Sequence, residues 1–501
     1  MTNIHIDDKP TAEGGPLEGE RRLLIDGELV LASDGGLIDN IDPSTGEVAG
    51  YASDATAHDM ERAIAAARRA ADEGAWASDP AFRSHCLLQL HEALIEEQER
   101  LRRIVVTEAG SPISLTYSVQ LQQPIDETLY WANMAKDFDY EEEWTPTTSR
   151  GATHRRRIHF EPTGVVAAIT PWNYPLYLNV SESVPALAAG NTVILKPAQL
   201  TPWSGLELGR IVSERTDIPA GVFNVVVTNS RDVTEMLTTD PRVDMVTFTG
   251  STTTGRRVLA AGAPTVKKTF LELGGKSAHI VLDDADFAET LPRTAAVCSH
   301  AGQGCTLSTR LLLPRARYEE GLAMLETIFA HIPVGDVWDP SVIHGPQVSA
   351  TQRDNILKAV DLAVETGARL ITGGHAVPDR PGYYVEPTLL ADVDPYSAVA
   401  QEEIFGPVLV VMPYDSIDEA VEIANSTIYG LAGEVSGGSV DGALAVARRL
   451  RAGNISVNGG NYFDVSTPLG GYGQSGIGRR NGEEGFREYM ELKAIGLPAT
   501  N

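Results

Sequence analysis

The run Gly164-Val165-Val166-Ala167-Ala168-Ile169-Thr170, followed by NTVILKPA (191–198), FNVVVT (223–228) and DMVTFTG (244–250), decides the fold class of this chain. Each run is short, apolar and rich in valine or isoleucine. None alternates polar with apolar residues, so each predicts a strand covered on both faces. Helical spacing fills the gaps around 202–215 and 231–238. Strands that alternate with helices predict an α/β domain on a parallel sheet. A second alternating region follows Gly274: HIVLDD, a helix through 288–301, RLLLP, a helix around 318–330, and further units up to ISVNGG (455–460).

Working back from Gly164, HRRRIHFEPTG (154–164) is basic and strand-like, and helices are predicted over 56–73, 82–109 and 119–138. Gly110-Ser111-Pro112 ends the second of them. LLIDGELV (23–30) breaks at Asp26-Gly27 into two short strands, and the polar residues 1–19 predict a mobile tail. A chain of 501 residues exceeds what one hydrophobic core serves, so two or three domains are expected.

A net charge of −28 argues against nucleic acid and anionic membrane as partners, since both reward basic surface. Three cysteines, an odd number in a long chain, point to a reducing, cytoplasmic compartment. No apolar run is long enough to span a bilayer, and the N-terminal stretch lacks the basic head and apolar run of a signal peptide. There is no H-E-x-x-H or C-x-x-C, so no metal is expected.

Three stretches carry candidate chemistry. Cys86 and Cys298 lie in apolar, helix-like runs, whereas Cys305 follows Gly302-Gln303-Gly304 and precedes Thr306, small neighbours that leave a sulfur open. A thiol needs ionising before it attacks anything, and on residue type alone a buried structural cysteine is the commoner outcome. Glu272 ends the apolar run Phe270-Leu271-Glu272-Leu273-Gly274-Gly275-Lys276. A desolvated carboxylate suits a general base near neutral pH, and a rim salt bridge is the alternative. Asn173 sits in Thr170-Pro171-Trp172-Asn173-Tyr174-Pro175, where two prolines fix the backbone around an amide able to stabilise an oxyanion. A turn-forming asparagine is the alternative there.

GSTTTG (250–255) follows a strand and should open a helix, whose N-terminus favours a pyrophosphate. Arg256 and Arg257 follow it in place of Lys and Ser/Thr, so it is no ATP P-loop. GYGQSG (471–476) does match G-x-G-x-x-G, but it follows a proline turn and reads as a loop.

In order along the chain stand PWNYP, LKPAQ, FTGSTTTG, LELGGK, GQGC, EEIFGP and PLGGYGQSGIGR. Together, over roughly residues 20–500, they resemble the aldehyde dehydrogenase superfamily in order and spacing. The resemblance implies a Rossmann-like NAD-binding domain (20–140 and 161–273), an α/β catalytic domain (274–480) and a small β oligomerisation arm (141–160 and 481–501), assembled as a homodimer or homotetramer. It implies oxidation of an aldehyde to the acid with NAD(P)+. Cys305 is the nucleophile, Asn173 and the Cys305 N–H hold the oxyanion, and Glu272 activates water to hydrolyse the thioester.

The same resemblance places Ile169, Thr170, Pro171, Trp172, Ala198, Phe248, Gly250, Ser251, Gly255 and Leu273 around the cofactor. Lys196 would meet the adenosine ribose, and Glu403 and Phe405 the nicotinamide ribose and ring. Gln199 stands where NAD-preferring members usually carry glutamate, so NAD is expected with NADP tolerated. The substrate tunnel would be Tyr174, Tyr177, Leu178, Ser181, Gly304, Thr306, Asn461 and Phe463. None of these is charged, and Ser181 replaces the Trp or Arg of other members, so a neutral, largely apolar aldehyde of medium or large size is expected.

Other departures are Thr228-Asn229-Ser230-Arg231 in place of a glycine-rich turn, and Arg480 where many members carry a glutamate linked to proton relay. A coenzyme A-acylating member usually lacks the LELGGK glutamate. A retired relative of the lens-crystallin kind would not need Cys305, Glu272 and Asn173 together.

Overall fold

A computed structural model describes residues 17–498, so most of the tail expected to be mobile (1–19) lies outside the described residues. Residues 17–19 are anchored: the Glu18 carbonyl accepts a hydrogen bond from Arg100, and a Cβ on Gly19 would strike the Trp203 ring at 2.2 Å.

Two large sheets organise the molecule. The first has eight strands, and its centre is five parallel ones: the four expected runs and Lys268–Glu272. From Val165–Ile169 the chain steps outward through Thr192–Lys196 and Phe223–Val225, then crosses to Met245–Thr249 and Lys268–Glu272 on the other side. The reversal of strand order opens a crevice beyond the carboxyl ends of Val165–Ile169 and Met245–Thr249, the place where open α/β sheets bind ligands. Ile169 lies in register with Lys196 on one side and Phe248 on the other, so the candidate cofactor residues of three strands end on one line. These strands are buried because helices cover both faces. The helix Thr252–Gly262 starts where expected, with the Ser251 hydroxyl accepting from the Thr254 N–H as its N-cap.

The second sheet has seven strands and runs from Ala278–Val281 to Asn454–Val457, with an apolar core on each face. The third pairs Glu141–Ser149, Ala152–Pro162 and Met490–Pro498, all antiparallel. The basic run of this arm is neutralised at home: Arg155 pairs with Glu143 at 2.6 Å and Arg157 with Glu141 at 2.8 Å.

Three details depart from expectation. The helix expected over 82–109 is two, Pro80–Glu96 and Gln98–Ala109, because Glu97 leaves helical geometry (φ −94°, ψ 4°). The segment 288–301 is a short helix followed by 3-10 turns, and it breaks into the left-handed region at His300 (φ 48°) and Ala301 (φ 53°). Gly476–Ile477, from the stretch assigned to the catalytic domain, belongs instead to the first sheet, where it pairs antiparallel with Leu271–Glu272.

Candidate active site

Cys305, Glu272 and Asn173 come from three distant segments and line one cavity of about 1070 Å³. The left-handed run His300, Ala301, Gly302 (φ 77°) turns the chain sharply just before the cysteine. Only glycine suits position 302, because a Cβ there would lie 2.1 Å from the Gly406 carbonyl carbon. GQGC and EIFGP therefore touch backbone to backbone. The LELGGK glycines serve the same close packing: a Cβ at Gly274 would strike the Glu403 carboxylate at 2.1 Å, and one at Gly275 the Cys305 carbonyl at 2.7 Å.

Gln303 fastens the turn, donating to the His300 and Pro346 carbonyls and accepting from the Val348 N–H. The Asn173 side chain donates to the Gln303 carbonyl at 2.8 Å. That bond fixes the amide and uses one of its two N–H groups. The Asn173 carbonyl accepts from Gln120 at 3.0 Å and from His300 Nε2 at 2.8 Å. Burial pushes His300 down to about 4, so the ring is neutral and its one hydrogen sits on Nε2.

Cys305 is half-buried. Desolvation, with Glu272 and Glu403 nearby, pushes its thiol up to about 12, so the resting sulfur is protonated. Glu272 is 5% exposed, with Oε1 lacking any hydrogen-bond partner. Burial lifts its carboxyl to about 8, and Arg480 opposes that rise. Such a carboxyl can give up and take back a proton near neutral pH.

At the other mouth of the cavity the Trp172 and Phe405 rings meet edge to face, with centroids 5.4 Å apart. Phe405 is held at φ 58°, and Gln352 donates to its carbonyl. The Gly275 N–H donates to Glu403 Oε1 at 3.0 Å. Pro171, Gly250, Ser251 and Leu273 complete this end. Ile169, Thr170, Lys196, Ala198, Gln199 and Phe248 lie outside the cavity wall, along the same sheet edge. The Thr170 N–H donates to the Lys196 carbonyl, and burial pulls the Lys196 amine down to about 8. Gly255 packs the helix on Leu273, whose side chain a Cβ would meet at 2.5 Å.

Of the residues expected in the substrate tunnel, Tyr174, Tyr177, Leu178, Gly304, Thr306, Asn461 and Phe463 all line the cavity. Ser181 does not. It lies one turn further along the fully buried helix Pro175–Ala188, 2% exposed, with its hydroxyl turned back to the Leu178 carbonyl. A serine is too short to reach the wall from there. The sequence pointed to none of Val119, Gln123, Thr249 and Arg480 as wall residues, yet all four line the cavity. Val119 and Gln123 flank the start of the helix Gln122–Asp137, which no motif marks. The wall is therefore not free of charge, but Arg480 is already paired with Glu182.

Among the described residues no group of His, Cys, Asp and Glu could hold a metal ion, and no helix is long and apolar enough to cross a membrane.

The chain resembles 3-succinoylsemialdehyde-pyridine dehydrogenase of a Pseudomonas species, with 38% identity over 95% of this chain and 98% of that one. It resembles two solved structures at 37% identity. An aldehyde dehydrogenase of Mycobacterium tuberculosis complexed with NAD+ has a TM-score of 0.92 over 96% of this chain and 99% of that one. A mutant of aldehyde dehydrogenase C from Pseudomonas syringae, with NAD+ and octanal, has a TM-score of 0.89 over 95% and 96%. Residues 30–495 match the model of the aldehyde dehydrogenase family, and with motifs, fold and cavity in agreement the chain belongs to that family.

Proposed function

We propose that the protein oxidises a neutral, largely apolar aldehyde of medium or large size to its acid, with NAD+ as oxidant and a thioester on Cys305 as intermediate. The observation that carries this is one cavity lined by a nucleophile, an amide donor and a buried carboxyl, with an aromatic-lined mouth opposite. Glu403, Phe405, Trp172 and the close-packed Gly274 fit a nicotinamide riboside, because glycine at 274 leaves the Glu403 carboxylate beside the crevice. The bound nicotinamide supplies the hydride acceptor.

The chain's own residues do the rest. Cys305 gives its proton to solvent water and attacks the carbonyl carbon as the thiolate. The Asn173 amide and the Cys305 N–H take the charge that develops on oxygen. Once the thioester exists, Glu272 draws a proton from water, the water attacks, and the thiolate leaves.

The wall beside Cys305 supports an apolar substrate: Tyr174, Tyr177, Leu178 and Phe463 dominate it. The octanal bound to the Pseudomonas syringae relative is such an aldehyde. Arg480 is a poor partner for a carboxylate substrate, since its Nη2 is already held by Glu182 and Thr249. Hexanal and benzaldehyde should therefore exceed succinate semialdehyde in kcat/KM with NAD+. A preference for the semialdehyde would overturn the substrate class.

The half-exposed Gln199 bears on cofactor choice. A glutamate there would repel a 2′-phosphate, while glutamine offers N–H donors. Lys196 is the only cation between 196 and 204, and one partly screened charge contributes about 1 kcal/mol, less than tenfold. NAD+ is thus the working cofactor and NADP+ is tolerated. Gln199→Glu should depress kcat/KM for NADP+ far more than for NAD+. Equal effects would place Gln199 away from the 2′ position. Trp144 (52% exposed) and Leu492 (68%) stand open on the arm, which supports assembly with further copies of this chain.

A further inference from the structure

Behind the hydrolytic carboxyl lies an ion pair that the mechanism above does not use. Glu182 is fully buried on the helix Pro175–Ala188, and Arg480, 5% exposed, directly follows the C-terminal motif PLGGYGQSGIGR. Arg480 Nη2 donates to Glu182 and, at 2.8 Å, to the Thr249 hydroxyl; Thr247 and Thr249 both donate to Glu182. Arg480 lines the cavity with Glu272, and its Nε, like Glu272 Oε1, is buried without a partner. A buried ion pair is a poor source of stability, because desolvation offsets most of the attraction. Unpartnered buried polar atoms are rare enough to call for an explanation. Both facts place this pair with the chemistry rather than with the core.

We infer that the Glu182–Arg480 pair is a positioning device for thioester hydrolysis: Arg480 holds Glu272 in its proton-accepting form, and Glu182 anchors Arg480 while restraining its effect. The inference rests on Glu272 being the hydrolytic base. Glu272 faces Arg480 and Arg479 from the C-terminal motif, Glu182 from its own helix, and Cys305 across the cavity. Tyr177, Tyr489 and Glu127 face Arg480 on its other sides.

The signs are opposite for the two partners. Glu272 works ionised, so hydrolysis appears as pH rises through its midpoint, near the value of about 8 to which burial lifts it. Arg480 lowers that midpoint and Glu182 raises it, and of the two Arg480 acts more strongly. Arg480→Gln should move the midpoint up by about one unit, and so slow hydrolysis at pH 7 about tenfold. Glu182→Gln should move it down. The double variant should fall between wild type and Arg480→Gln, and it leaves no buried charge without its counterion, so it remains readable where a single variant does not fold. Arg480→Lys keeps the charge and should restore the midpoint.

The measurement is the hydrolysis phase after the first turnover, resolved by stopped flow from pH 6 to 10, so that cofactor release does not mask it. The order Glu182→Gln, wild type, double, Arg480→Gln supports the inference. Coincident midpoints, or both single variants moving the same way, overturn it. The reading of Glu272 fails separately, if Glu272→Gln leaves the hydrolysis phase at its wild-type rate.

Discussion

Cys305→Ala should lower aldehyde oxidation by on the order of 10⁴-fold or more while leaving NAD+ affinity within about twofold. The size of the loss follows from the site. Cys86 and Cys298 are fully buried, and burial pushes both thiols well above the usual range, so neither can replace the nucleophile. The selectivity follows from geometry: the end proposed for the cofactor is lined by Trp172, Glu403 and Phe405, and none of these rests on the sulfur. Steady-state turnover and a fluorescence titration with NAD+ check the two halves. Near wild-type turnover in the alanine variant would remove the central assignment. Because the resting thiol stands near 12, alkylation by iodoacetamide in the absence of cofactor should also be slow at pH 7 and climb with pH.

Glu272→Gln should give one equivalent of NADH per active site and then almost nothing. In the proposed mechanism attack and oxidation precede the water step, so the first turnover survives. Hydrolysis loses its base and falls by about 10²–10⁴-fold. Glutamine matches the shape of glutamic acid, and Oε1 makes no hydrogen bond that the change would break. In the wild type, hydrolysis should rise with pH through a midpoint near the value of about 8 to which burial lifts Glu272, since the carboxyl is largely protonated well below that. The variant should lose that rise. Absence of the first equivalent would mean that Glu272 also takes the proton from Cys305.

The parallel sheet was legible because fully buried strands need continuous apolar runs, and 165–169, 192–196 and 245–249 supply them. Candidate site residues were legible where chemistry forces a choice of residue, as at Cys305, Glu272 and the glycines that let GQGC and EIFGP meet. Geometry that costs no special residue was not legible. The break at Glu97 carries no glycine or proline, and the left-handed turn begins at His300 and Ala301, before the glycine at 302 that would announce it. Ser181 shows a different limit: position on a helix does not fix whether a short side chain reaches a cavity. The Glu182–Arg480 pair joins residues 298 positions apart: Arg480 stood out as a departure from the family's pattern, but no local pattern marks Glu182 as its partner.

The pairing of Gly476–Ile477 with the strand that bears Glu272 has a consequence in time. Ser475 adds to the same clasp, accepting from the Leu273 N–H and donating its hydroxyl to the Gly274 carbonyl, 201 positions away. At roughly 5–20 residues per second, a ribosome delivers the clasp about 10–40 s after the strand it closes. For most of that interval Cys305 has been made, while the outer backbone of Leu271 and Glu272 still lacks the Gly476–Ile477 strand. The nascent chain therefore holds its thiol before it holds a seated base.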